Sequence, residues 1–115
     1  MKSSEKLCWV YMTAGSIEEA KNIGRELIKK NLAACVNLLE NMTSIYKWGD
    51  KLEEGREVIM IAKTRKTLMP KLIGIVKSNH GYDCPCILEL PIQGGNPEFL
   101  KWILVETDVK HNPLI

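Results

Sequence analysis

No stretch of this 115-residue chain is long and apolar enough to cross a membrane, and the opening Met1-Lys2-Ser3-Ser4-Glu5-Lys6 lacks the apolar core of a secretory signal. A cytoplasmic location is expected for the chain as written, a removed targeting segment being the alternative. Charge of one sign is lacking too. Lysine and arginine number 16 against 14 acids, a net charge of +2 with the signs interspersed, which gives no footprint for nucleic acid. The nearest basic cluster, Lys63-Arg65-Lys66, reads as a solvated strand end. There is no phosphate-binding loop, because Gly94-Gly95 has no Lys and Ser/Thr pair behind it, and no serine or cysteine stands with a recognisable base. Neither an enzyme nor an organic cofactor is expected. Four cysteines are too few for a disulfide framework in a compartment expected to be reducing.

What is present is ordinary globular composition, 45% hydrophobic and 26% charged, in a length that supports one domain with one core. Lys6 to Thr13 is rich in β formers and opens the fold as a strand. Ser16-Ile17-Glu18-Glu19 is a capping box, and Ile17, Ala20, Ile23, Gly24, Leu27 and Ile28 repeat at three and four, so a helix runs from here to a C-terminal cap at Asn31. A second helix is expected with Thr67 as its cap, Pro70 in its first turn, and Leu68, Met69, Leu72, Ile73 and Val76 buried. Cys86 to Leu90, fenced by Pro85 and Pro91, reads as an edge strand. Asn96-Pro97-Glu98 starts a third helix, with Phe99, Leu100, Ile103 and Leu104 on its inner face. Val109 to Ile115 is a short tail without assignment.

Between the first two helices lie two long β-prone arms, Ala33 to Trp48 and Glu57 to Ala62, closed by a turn at Gly49-Asp50. The second arm is a bounded apolar run, which suggests a strand covered on both faces, and both arms are candidates for the centre of a sheet. As one strand the first arm would span roughly 50 Å, against about 35 Å for the width of a compact domain of this length. A hairpin that overhangs its own domain exposes unpaired N–H and C=O groups, and pairing with further copies of the chain covers them. An oligomer meeting along this hairpin is expected. A bulge or bend at Glu40-Asn41, and the same at Gly55 on the return arm, would shorten the reach. The element order β-α-β-β-α-β plus a C-terminal helix predicts an α+β fold, a ferredoxin-like split βαβ sandwich with helices on one face of an antiparallel sheet.

Five motifs in order, Leu32-Ala33-Ala34-Cys35-Val36-Asn37, Ser44-Ile45-Tyr46-Lys47-Trp48, Lys63-Thr64, His80-Gly81-Tyr82-Asp83-Cys84-Pro85 and Asn96-Pro97-Glu98-Phe99-Leu100-Lys101-Trp102, resemble the CutA divalent-cation-tolerance family over roughly residues 7 to 107. The resemblance implies a ferredoxin-like subunit in a homotrimer and a role in tolerance to copper and other divalent metals. The chain departs from the family pattern at Gly81, where proline is usual, and at Cys86, where glutamate is usual. The second departure replaces a hard ligand with a soft one.

Cys84 and Cys86 are two apart, so in an extended segment their sulfurs share a face. With His80 they form a candidate site for Zn(II) or Cu(I), completed by Asp83 or water, or by Cys35 if the fold brings it near. Against it stand unliganded thiols at an edge strand and a histidine that hydrogen-bonds the end of a helix. Tyr46, Trp48, Lys63 and Tyr82 are a second constellation, either a cleft between subunits holding a small anion or polar metabolite, or interface packing, with packing favoured. Two functions result: a trimer that binds divalent or soft metal ions, or a trimeric scaffold or sensor that binds a protein or small molecule in its clefts, metals being incidental.

Overall fold

A computed structural model of the chain describes residues 5–108, so the tail from Val109 onward lies outside the described residues. The elements are β1 (Leu7–Ala14), α1 (Ile17–Lys29), β2 (Cys35–Trp48), β3 (Lys51–Arg65), a 3-10 turn over Lys66–Leu68, α2 (Met69–Asn79), β4 (Ile87–Ile92) and α3 (Pro97–Glu106). The four strands form one sheet in the order β2-β3-β1-β4, with every neighbouring pair antiparallel. The expected order of elements holds. Of the two long arms, however, only β3 lies inside the sheet; β2 is an edge.

Local chemistry explains most boundaries. Ser16 Oγ accepts from the Glu19 N–H at 3.1 Å and starts α1. At the other end, Leu32 N donates to Leu27 O and Asn31 N to Ile28 O, while Asn31 takes a φ of 54°; this paired closure ends the helix and folds Leu32 back into the core. Asn96 accepts from the Glu98 N–H and Pro97 opens α3, as expected. The expected cap at Thr67 does not form. The chain instead makes a 3-10 turn, and α2 begins at Met69 with Leu68 before it and no side-chain cap. Pro70 sits in the first turn, where its missing N–H leaves no intrahelical bond unmade.

The core lies between the sheet and helices α1 and α2. Cys8, Val10, Met12 and Ala14 of β1 and Val58, Met60 and Ala62 of β3 face Ala20, Ile23 and Leu27 of α1 and Met69, Leu72 and Val76 of α2. Ile28, expected on the inner face, is exposed, as are Phe99 and Trp102 of α3, whose rings lie 5.4 Å apart. The other face of the sheet has a smaller cover. Ile103 and Leu104 of α3 pack on Leu7 at one end, and Trp9, Leu39, Leu88 and Leu90 remain open. Within one subunit β3 is therefore not covered on both faces along its length.

The hairpin overhangs as predicted. β2 and β3 run for 14 and 15 residues, and the described chain measures 51 × 30 × 21 Å. The register slips between Leu39 and Met42, where Asn41 adopts a φ of 65°, so the bend expected at Glu40-Asn41 is a bulge. Gly55 makes no such break and pairs in register with Ser44. Gly49, at a φ of 63°, turns the chain between Trp48 and Lys51. β4 is the opposite edge and runs through Pro91 to Ile92, which an edge tolerates because no outer strand needs that N–H.

Candidate functional site

The side chains of interest gather where four pieces of chain meet: the end of β1, the first turn of α1, the middle of the β2–β3 hairpin and the segment from His80 to Cys86. His80 follows α2 directly, and its ring is shielded from solvent. Its Nε2 lies 2.7 Å from the Thr13 carbonyl oxygen, and its Nδ1 accepts from the Tyr82 N–H at 3.1 Å. A carbonyl only accepts, so Nε2 carries the proton and the ring is the neutral tautomer. Tyr82 then lies against the imidazole, with ring centroids 4.7 Å apart.

Two carboxylates tie this segment to the rest. Glu19, the acid of the capping box, reaches past Ser16: Oε1 accepts from Gly15 N at 3.2 Å and Oε2 from Gly81 N at 2.8 Å. A Cβ on Gly81 would lie 2.8 Å from that same oxygen, and a proline would carry no N–H to donate. The departure from the family pattern at Gly81 thus has a structural use here. Glu57 accepts from Ser44 Oγ at 2.6 Å and from the Tyr82 hydroxyl at 3.0 Å. Burial pushes the Tyr82 hydroxyl up to about 12 from its ordinary 10.0, the bond to Glu57 adding to it. The Cys86 thiol is also raised, by burial first and by the Glu57 charge second.

All four cysteines are free thiols; Cys84 is exposed and Cys86 half-buried. Among the described residues no three His, Cys, Asp or Glu side chains converge to hold one ion. The three-ligand set expected at His80, Cys84 and Cys86 is not assembled, because both imidazole nitrogens are bonded within the chain. Cys35 does not join them either. It lies on the β2 edge and Cys86 leads into β4, so three strand spacings of about 4.8 Å separate the two edges. Cys35 Sγ sits instead 3.8 Å from Lys63 Nζ and 3.8 Å from Asn37 Oδ1.

The second constellation is divided. Tyr82 belongs to the node, and Tyr46 stands near it, its hydroxyl 3.7 Å from where a Cβ on Gly55 would be. Trp48 is at the hairpin tip, 76% exposed. Lys63 is twelve residues along β3 from Lys51, the pairing partner of Trp48, a separation of about 40 Å. There it bonds Asn37 Oδ1 at 2.6 Å and lies 5.8 Å from the Phe99 ring centre. One subunit does not make the four-residue cleft. Glu57 and Ser44, which do line the node, carried no local sequence signal: only the slipped register beyond the bulge sets Ser44 beside Glu57.

The family model for the CutA1 divalent ion tolerance protein matches residues 8–106. The chain belongs to the CutA1 family. It is 41% identical over 102 residues to protein CutA of Mus musculus, covering 89% of this chain and 58% of that one. It is 41% identical over 98 residues to the divalent-cation tolerance protein CutA of Thermus thermophilus, covering 85% of this chain and 95% of that protein. The solved structure of the periplasmic divalent cation tolerance protein CutA from Archaeoglobus fulgidus superposes with a TM-score of 0.86 at 40% identity, over 89% of this chain and 99% of that one. The chain spans between half and two-thirds of the length of the animal CutA proteins it matches. Glu19, Glu57, His80 and Tyr82 form a polar junction, and none of its hydrogen bonds uses the thiols of Cys84 and Cys86.

Proposed function

We propose that the protein is a cytoplasmic homotrimer of ferredoxin-like subunits that holds divalent or soft metal ions, copper or zinc, in the service of metal tolerance. The observation that carries the metal reading is the sulfur pair on the open segment, Cys84 exposed and Cys86 half-buried, beside a histidine that fixes the segment rather than ligating. Membership of a divalent ion tolerance family supports it. Assembly is supported by the uncovered half of the sheet: Trp9, Leu39, Leu88 and Leu90 on one face, and Ile45, Trp48 and Leu52 on the overhanging arm, all more than 40% exposed. Apolar surface of that extent on a small chain marks an interface.

Native mass spectrometry of the reduced protein, before and after Cu(I) or Zn(II) and exchange into chelator-free buffer, tests the reading. A threefold mass that retains metal is the expected result. A threefold mass that retains none would overturn metal binding and favour the scaffold or sensor, with the open apolar face as its docking surface. A single-subunit mass at micromolar concentration would overturn the assembly.

A further inference from the structure

We propose that the groove between α1 and β2 docks an acidic amphipathic helix of a partner protein. The inference stands apart from the metal reading, because the groove lies on the helix side of the sheet and uses none of the same residues. Its volume is about 400 Å³. Ile28, Val36 and Leu38 supply an apolar floor. Val36 and Leu38 are only partly buried by the core they border, and Ile28 is exposed. Gly24 brings no side chain to the helix face that meets Val36, where a Cβ would already lie 3.5 Å from Val36 Cγ1. Lys21, Arg25 and Lys29 form the rim, and no acid among the described residues lines the groove.

The rim gives the occupant its charge. Its cations are four residues apart, so they stand in one row about 12 Å long on successive turns of α1. Like charges at that spacing repel and weaken the helix that carries them. Where α1 uses charge for its own stability it sets opposite signs four apart, as in Glu26 and Lys30 at 2.8 Å. Glu18 heads the row in the first turn, and three cations follow it. The ion pairs of the described residues use Lys30, Arg65, Lys66 and His80, and none relieves Lys21, Arg25 or Lys29. Carboxylates on a partner helix, one per turn, repeat at the same rise and match the row, while aliphatic side chains beside them enter the floor. A membrane surface fits less well. The site is a concavity, and α1 carries no aromatic side chain to enter a bilayer. Charges wet at the rim set selectivity and rate of encounter, so the complex is a transient one.

The test uses the reduced full-length protein in buffer with EDTA, so that metal plays no part. The probe is a labelled helical peptide of about 20 residues, with glutamates four apart and a leucine three residues after each, followed by fluorescence anisotropy. A dissociation constant on the order of 10 µM is expected at about 50 mM salt, weakening about 10-fold at about 300 mM. The same peptide with lysine for glutamate should bind at least about 30-fold more weakly. Arg25→Glu should weaken the glutamate peptide about 10-fold, and Ile28→Ser about 5-fold, both at exposed side chains. Arg25→Glu also sets opposite signs along the row, so it should unfold no earlier than the parent, which separates lost docking from lost folding. Equal binding of the two peptides, binding unchanged in both variants, or no binding of the glutamate peptide would overturn the proposal. Sedimentation of the protein with phosphatidylserine vesicles, without peptide binding, would assign the row to a membrane and overturn it. A native mass lowered by Arg25→Glu would show that a second copy of the chain covers the groove, which also overturns it. Retention of metal by the parent protein is a separate measurement and stands or falls independently.

Discussion

The two halves of β3 live in different surroundings. From Val58 to Thr64 every second residue is buried, because α1 and α2 lie over that face. From Lys51 to Glu57 nothing is buried, although the ladder with β2 continues in register to the turn. The hydrogen bonds are the same and the burial is not. A two-stranded ribbon with neither face covered is marginal in water, so the distal half borrows its order from the proximal half or from another copy of the chain. The polar node sits on the border between them, and Glu57 is the residue where burial along β3 stops.

The largest effect that separates the halves is a core truncation. Leu27→Ala removes a fully buried side chain under the proximal sheet and should cost about 3 kcal/mol in urea unfolding. Trp48→Ala, at a side chain with little cover in its own subunit, should cost under about 0.5 kcal/mol in a lone subunit. If the hairpin tip packs in a trimer, the same substitution instead lowers the threefold mass at dilute concentration. Equal losses from both variants at low concentration would erase the distinction between the halves.

At the border, Gly81→Ala places a methyl 2.8 Å from Glu19 Oε2 and should cost about 1 kcal/mol as that carboxylate shifts. Gly81→Pro also removes the N–H that Glu19 holds, and should cost more. A proline variant as stable as the parent would show that the Glu19 bond contributes nothing here. Thermal unfolding of the three proteins side by side is sufficient.

How much was legible follows the same border. Elements announced by their own residues are readable: the Ser16 and Asn96 caps, Pro70, the irregularity at Glu40-Asn41 and the edge strand after Pro85, though that strand is not fenced by Pro91 and runs through it to Ile92. Each rests on contacts within a few positions. The family resemblance was legible because its motifs are contiguous. What failed depended on distance in space. Cys35 resembles a ligand until sheet order sets it on the far edge from Cys86. Tyr46, Trp48, Lys63 and Tyr82 resemble one cleft until strand length draws them apart. His80 resembles a ligand, or a bond to the end of a helix, until Thr13 O and Tyr82 N are seen to occupy its nitrogens. Glu57 stands at the head of an apolar run, and nothing local directs its carboxylate to Ser44 and Tyr82.

The smallest effect is alkaline. In the covered half, burial pushes the Cys8 thiol up to about 11 from an ordinary 9.0; at the border, Tyr82 is pushed up to about 12 from 10.0. In both cases the fold favours the protonated form. Each contribution is fully present below the unfolded value and is lost as pH rises through the folded one, because the unfolded chain gives up its proton first. Stability should therefore decline across pH 9 to 12, with Cys8 governing the lower part and Tyr82 the upper. Because Tyr82 is partly exposed, solvent screens its share, and the steeper decline belongs to Cys8. Cys8→Ala should flatten urea-measured stability between pH 9 and 11. Tyr82→Phe starts lower by about 1 kcal/mol for the lost bond to Glu57 and then runs flatter only above pH 10. A Tyr82→Phe curve parallel to the parent up to pH 12 would mean that the hydroxyl is free to ionise, and that the border node does not hold it against Glu57 in solution.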